Sequence, residues 1–345
     1  MNTDVQNVAR LSSLVRPHIL KMSPYKSARS EYTGTKGIFL DANENSFGSV
    51  IDGSFNRYPD PLQLEVKKRL AHLKGVEVEQ IFLGNGSDEA IDLLFRGFCE
   101  PARDVILTCP PTYGMYKVSA DLNQIFIWEE PLSADFQLDA DRVIARLTDQ
   151  VKLIFICSPN NPSGNSLDPI AIETIIKAAP GLVVIDEAYI DFAPEKTKLS
   201  WLKQYPNLVV LQTFSKAWGL ANLRLGAAYA HPFVIEILNK IKPPYNVNGL
   251  TQQMACEALD QVEKQEQMVA QMLEGRRWLE QALPELEGIQ EVFPSDANFL
   301  LVRMKAAERV YGLLLAEEII LRNRSQVQLC EDCLRITVGR PEENH

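Results

Sequence analysis

The sequence predicts an α/β protein: a large unit on a mostly parallel sheet flanked by helices, then a smaller α+β unit. Three observations predict it. First, "KLIFICSPNNPSG" (152–164), "GLVVIDEAYIDF" (181–192) and "NLVVLQTFSK" (207–216) recur about 28 residues apart. Each is a continuous apolar, β-branched run that ends in polar residues. Second, "DPIAIETIIKAA" between the first two has helical spacing, which gives the βαβ rhythm of a parallel sheet buried on both faces. Third, that alternation is lost after residue 249. A long amphipathic stretch, 250–283, broken once, is followed there by the strand-like "SDANFLLVRM" and "CLRITVG".

Taken in order, residues 1–45 are polar and proline-punctuated. They read as an N-terminal arm. The large unit is expected over 46–248 and the small one over 249–345. "QIFLGNGSDEAIDLLFRGF" (80–98) runs from a strand through a Gly-Asn-Gly turn into a helix with Ala90, Ile91, Leu93 and Leu94 on its apolar face. "DVILTCPPTYGMY" (104–116) is a short strand that ends in a proline turn.

Composition excludes several function classes. Hydrophobic content is 46% and charged content 23%, the balance of a globular protein with a sizeable core. A net charge of −10 argues against nucleic acid, whose phosphates need a basic face. The N-terminal stretch has no apolar leader pattern, and no apolar run approaches the ~20 residues that span a bilayer, so the expectation is a cytoplasmic protein with no membrane partner. Cysteines 99, 109, 157, 256, 330 and 333 are scattered, several in apolar runs, and read as reduced core residues. Cys330 and Cys333 form one C-x-x-C with only His345 nearby, too few ligands for zinc, so no metal is expected.

In parallel sheets, ligands sit beyond the carboxyl ends of the strands. Asn161, Asp186, Tyr189, Ser215 and Lys216 lie there. Lys216, in "TFSKAWGLANLRLG", is a cation among apolar residues. A strand-end lysine is usually a solvated surface group. A poorly solvated one has a depressed pKa and forms an imine with a carbonyl. Asp186 ends an apolar strand, where a carboxylate is costly unless it faces a cation. A pyridinium N–H is such a cation. Lysine and aspartate together point to pyridoxal 5′-phosphate, with Tyr189 and Asn161 as donors to its ring oxygen. "GNGSDEAI" offers a phosphate cradle through freed backbone and a helix N-terminus, and Ser215 and Arg224 add a hydroxyl and a charge.

"RYPD", "LGNGSDEAIDLL", "PPTYGMY", "SPNNPSG", "VVIDEAYIDF" and "TFSKAWGLANLRLG", in this order, resemble the fold-type I, class II pyridoxal-phosphate aminotransferases. More narrowly, the chain is similar to the histidinol-phosphate aminotransferases among them. "LDANENSFG", "PYNVNGLTQQMA", "SDANFLLVR" and "CLRITVGRPEEN" extend the likeness from residue 38 to the C-terminal end. Ser46 departs from the pattern, standing where the family commonly has proline.

The resemblance implies an enzyme that transaminates L-histidinol phosphate with 2-oxoglutarate. Lys216 would hold the cofactor and act as base, with Asp186 at the ring nitrogen and Tyr189 and Asn161 at the ring oxygen. Tyr113 would stack on the ring. Ser87, Asp88, Ser215 and Arg224 would hold the phosphate. Tyr58 would reach into the partner's site of a homodimer. Arg335 would clamp the anionic group of each substrate, with Arg322, or Arg324 if the register is shifted, as a second arginine. Tyr25 and Asn43 would line the pocket, the arm 1–45 contributing to the small unit and to the active site. Two other readings remain open within this fold: an aminotransferase for aromatic amino acids, and a decarboxylase of a phosphorylated amino acid. An effector-sensing domain tied to a DNA-binding module is disfavoured, because the arm has no basic cluster.

Overall fold

The structure is a computed structural model, and it describes residues 3–25 and 37–345. The part of the N-terminal arm at 26–36 lies outside the described residues. Seven strands form the main sheet: β1 (Ile81–Asn85), β2 (Val105–Thr108), β3 (Phe126–Glu129), β4 (Val151–Cys157), β5 (Leu182–Asp186), β6 (Leu208–Thr213) and β7 (Leu225–Ala230). Their order is β1-β7-β6-β5-β4-β2-β3. Only β7 runs against its neighbours. The sheet is therefore mostly parallel, as the apolar runs predict, and β4, β5 and β6 are buried almost throughout.

Because β1 and β6 are both antiparallel to β7, they point the same way. The ends of β1, β4, β5 and β6 thus meet at one edge of the sheet. That convergence brings together side chains far apart in sequence. Two apolar layers flank the sheet. One contains Phe95, Phe98, Val234 and Leu238 from the helices Gly86–Phe98 and Pro232–Ile241, and the other Ile172, Ile175 and Ile176 from the helix Pro169–Ala178.

A second, antiparallel sheet follows, in the order β10-β11-β9-β8, from β8 (Ile289–Val292), β9 (Phe299–Met304), β10 (Arg322–Asn323) and β11 (Cys333–Thr337). Leu300, Val302 and Leu334 form its core with Leu279 and Leu283. The 250–283 stretch is two helices, Gly249–Leu259 and Val262–Ala282, broken at Asp260 and Gln261. The first belongs to the main core: its Ala255 and Leu259 cluster with Val66 and Leu70.

The N-terminal arm differs from the expectation at its start. Thr3–Leu14 and Pro17–Lys21 are helices. Leu11, Leu14, Val15 and Ile19 cluster with Phe95 and Phe98 against the large sheet, not the small one. The i, i+3, i+4, i+8 spacing of those four residues is a helical stripe that the polar composition around it hides. Among the described residues, no helix is long and apolar enough to cross a membrane.

Candidate active site

A cavity of about 210 Å³ opens at the convergent strand ends. Its floor is Asp186, the last residue of β5, only 2% exposed. One carboxylate oxygen, Oδ1, accepts the backbone N–H of Ala188 at 3.1 Å, and Oδ2 accepts the Tyr116 hydroxyl at 2.7 Å. Burial pushes the Asp186 carboxyl up to about 6 despite these bonds and the nearby Lys216 ammonium, which favour the charged form.

Lys216 follows β6 and its Nζ stands 5.7 Å from the centre of the Tyr189 ring. Its backbone is anchored by buried Ala217 and Trp218, while the lysine itself faces the opening. Partial burial lowers its pKa first, then the positive charges of Arg335 and Arg224, whereas Asp186 and Asp88 oppose them. The result is an amine more easily freed of its proton than an ordinary lysine.

The opposite wall is the N-terminus of the helix Gly86–Phe98. Gly86 has φ +73, and a Cβ there would lie 2.8 Å from Arg224 Nη2. Gly226 of β7 packs so close that its Cβ would stand 2.1 Å from the Ser87 nitrogen. Glycine at both places leaves the helix amides open to the cavity, the arrangement that suits an anion. Ser87, Ser215 and Arg224 line this end. Arg224 Nη1 reaches Ser215 Oγ at 3.4 Å, and Arg224 Nη2 lies 3.6 Å from Asp88 Oδ2. The Tyr113 hydroxyl donates to Asp88 Oδ1 at 3.2 Å.

Arg335 of β11 connects the small sheet to this cavity. Its Nη1 donates to Asn161 Oδ1 at 2.6 Å, and Asn161 Nδ2 in turn approaches the Tyr189 hydroxyl at 3.5 Å. Arg322 faces Arg335 across the β10–β11 ladder. Arg324, two residues on, shares that face, and burial followed by the charge of Arg335 and Arg322 lowers its pKa. Arg322 is exposed and Arg324 half-buried. Among the described residues none of the three forms an ion pair with a carboxylate, and Nε of both Arg324 and Arg335 is buried with no hydrogen-bond acceptor.

The structure thus brings Lys216, Asp186, Tyr189, Asn161, Tyr113, Ser87, Asp88, Ser215 and Arg224 to one cavity, with Arg335 at its edge. Tyr25, Asn43 and Tyr58 are exposed and do not line it. Tyr58 stacks on Tyr245 with ring centres 4.5 Å apart. Sequence reasoning missed Tyr116, Thr213 and Cys157. No spacing singles out Tyr116, because Tyr113 precedes the helix Met115–Leu122 that carries it. Cys330 and Cys333 are buried free thiols of the core.

Residues 32–345 match the family model "Aminotransferase class I and II". The chain belongs to the class I and II aminotransferases. It is 54% identical over 334 residues to a protein of Cytophaga hutchinsonii named histidinol-phosphate aminotransferase, covering 97% of this chain and 96% of that one. A relative of the same name from Parabacteroides distasonis is 52% identical with the same coverage. The fold matches a crystal structure of histidinol-phosphate aminotransferase from Sinorhizobium meliloti in complex with pyridoxal 5′-phosphate: TM-score 0.78, 23% identity, covering 88% of this chain and 86% of that one.

This aminotransferase uses pyridoxal 5′-phosphate, and its residues fit that group. The cavity offers an amine of lowered pKa, a buried carboxylate suited to a cationic ring nitrogen, and an open helix N-terminus beside a serine and an arginine.

Proposed function

We propose that this chain catalyses reversible transfer of an amino group between L-histidinol phosphate and 2-oxoglutarate, giving imidazole-acetol phosphate and L-glutamate, as a cytoplasmic enzyme of histidine biosynthesis. One observation carries the substrate choice: Arg335 and Arg324, each with a buried Nε lacking an acceptor among the described residues, share a face of the small sheet with Arg322, and Arg335 reaches the cavity through Asn161. Guanidinium groups so placed call for anions with paired oxygens, and a phosphate or an α-carboxylate meets that need. The names of the relatives at 54% and 52% identity support the same reading.

When bound, the cofactor supplies a carbonyl that takes up the amino group and a ring that accepts electrons from the substrate carbon. Lys216 would hold the cofactor through that carbonyl, and its freed amine would act as the base that takes the proton from substrate Cα and passes it on in a 1,3-shift. Asp186 pairs with the ring nitrogen. Tyr189 and Asn161 hold the ring oxygen, and Tyr113 covers the ring. Ser87, Ser215, Arg224 and the backbone N–H of Asp88 hold the phosphate. Arg335, aided by Arg322 or Arg324, clamps each substrate in turn.

Substrate would lie between the large sheet and the small one, which the Arg335–Asn161 contact links. Tyr58 acts in the partner subunit of a homodimer. The exposed apolar residues Phe47, Val50, Ile51, Phe55 and Leu62 around it support this, because so dense a run on a surface marks an interface.

Purified protein given L-histidinol phosphate and 2-oxoglutarate should form glutamate and imidazole-acetol phosphate in equal amounts. Carbon dioxide release from a phosphorylated α-amino acid offered alone, with no turnover of L-histidinol phosphate, would overturn the proposal in favour of a decarboxylase. A higher kcat/KM for phenylalanine or tyrosine would overturn it in favour of an aromatic aminotransferase.

A further inference from the structure

Tyr116 is one of the largest fully buried side chains in the protein, and its hydroxyl does not end in the apolar core. The ring is held between two aromatics. It stacks on Phe155 at 4.6 Å and meets Tyr113 edge-on at 5.6 Å. With the ring fixed, the hydroxyl has one direction, and it donates to Asp186 Oδ2 at 2.7 Å. The Ala188 N–H takes Oδ1 at 3.1 Å. Tyr116 does not itself line the cavity, whereas Asp186 does. Each carboxylate oxygen accepts one of these bonds and keeps a further lone pair.

We propose that Tyr116 is a positioning residue: its hydroxyl orients Asp186 toward the ring nitrogen of the cofactor and keeps the carboxylate ionised. The inference rests on the reading of Asp186 as the partner of that nitrogen. A phenol buried among aromatics, with its own pKa raised by burial and by Asp186, stays a donor throughout the working range. Lys216, Asp88, Tyr113, Tyr189 and Cys157 also face Asp186. Lys216 favours its charged form and Asp88 opposes it. None of them is an uncharged hydroxyl donor aimed at Oδ2.

Removing the hydroxyl leaves one oxygen of a buried carboxylate without its donor, so the carboxyl protonates at higher pH. The test uses the full chain freed of cofactor, titrated with pyridoxamine 5′-phosphate, which cannot form an imine with Lys216. Binding is read from tryptophan fluorescence between pH 5 and 8. Tyr116→Phe should weaken binding about tenfold at neutral pH and move the acid-side loss of affinity up by about one pH unit. The ligand's own titrations are common to both proteins, so the difference between the curves belongs to Asp186. A merely structural tyrosine would alter the melting temperature and leave that limb in place.

A second variant keeps the volume almost unchanged: 3-fluorotyrosine at position 116, a more acidic and stronger donor, should move the limb down. An unmoved limb in both variants overturns the inference. Asp186→Ala separates the two readings. If it binds pyridoxamine 5′-phosphate as the unaltered protein does, Asp186 does not face the ring nitrogen and both fall. If it binds weakly while Tyr116→Phe matches the unaltered protein, only the role of Tyr116 falls.

Discussion

Burial raises the Asp186 carboxyl from the ordinary 3.8 to about 6, although it accepts two hydrogen bonds. The sign of the consequence is fixed by linkage. A carboxyl whose folded pKa exceeds its unfolded one favours folding when protonated, and that contribution is lost as pH rises through about 6. At pH 8 the cofactor-free chain therefore carries a penalty of ~3 kcal/mol at this one side chain. Asp186→Asn, measured by thermal melting without cofactor, should melt higher than the unaltered protein at pH 8, with the gap closing toward pH 5. The same variant should bind the cofactor at least tenfold more weakly, because an amide cannot pair with a cationic nitrogen. At Lys216 burial lowers the pKa first and Arg335 adds to it, so removing Arg335 removes a cation that lowers the lysine pKa. Arg335→Ala should therefore slow uptake of pyridoxal 5′-phosphate near pH 7, with normal rates recovered at higher pH, and raise KM for both substrates by tenfold or more. Stopped-flow absorbance and steady-state kinetics measure the two effects.

Single elements explain which parts of the fold were legible beforehand. β4, β5 and β6 announce themselves through runs such as "LVVID", because strands buried on both faces need apolar, β-branched residues throughout. Their polar ends gave Asn161, Asp186, Tyr189 and Lys216 as site candidates, and these do share one cavity. β7 carries no such signal. Its "LGAAYA" is chosen for closeness to the helix Gly86–Phe98, and small residues of this kind look like a loop or a helix in sequence. Tyr116 was illegible for a related reason: a tyrosine in an apolar helix reads as core, and only the fold brings Asp186 to its hydroxyl. Gly226→Ala tests the close approach. Its Cβ would meet the Ser87 nitrogen at 2.1 Å, so the helix terminus must shift. The expected cost is about 3 kcal/mol in denaturant unfolding, with a loss of cofactor affinity on top. In the N-terminal helix, Leu11 is fully buried against the large sheet's helices. Leu11→Ala should cost about 3 kcal/mol by the same measurement.

At the scale of the whole molecule, the segment from Phe47 to Leu64 exposes seven large apolar residues, Phe47, Val50, Ile51, Phe55, Tyr58, Leu62 and Leu64. On the proposed homodimer these are covered by the second copy. Light scattering on Phe47→Asp/Val50→Asp should then show a shift toward monomer with loss of activity, whereas an unaltered mass with unaltered activity would set that face aside. No single-chain pattern reveals this, because exposure is a property of the folded surface and not of the residues. The buried Asp186 has a last consequence that lies outside catalysis. Anything that pairs with it holds the chain folded in proportion to RT ln(1 + [L]/Kd). Pyridoxal 5′-phosphate then acts on the lifetime of the protein as well as on its chemistry. Limited proteolysis of the purified chain should therefore slow as pyridoxal 5′-phosphate is added.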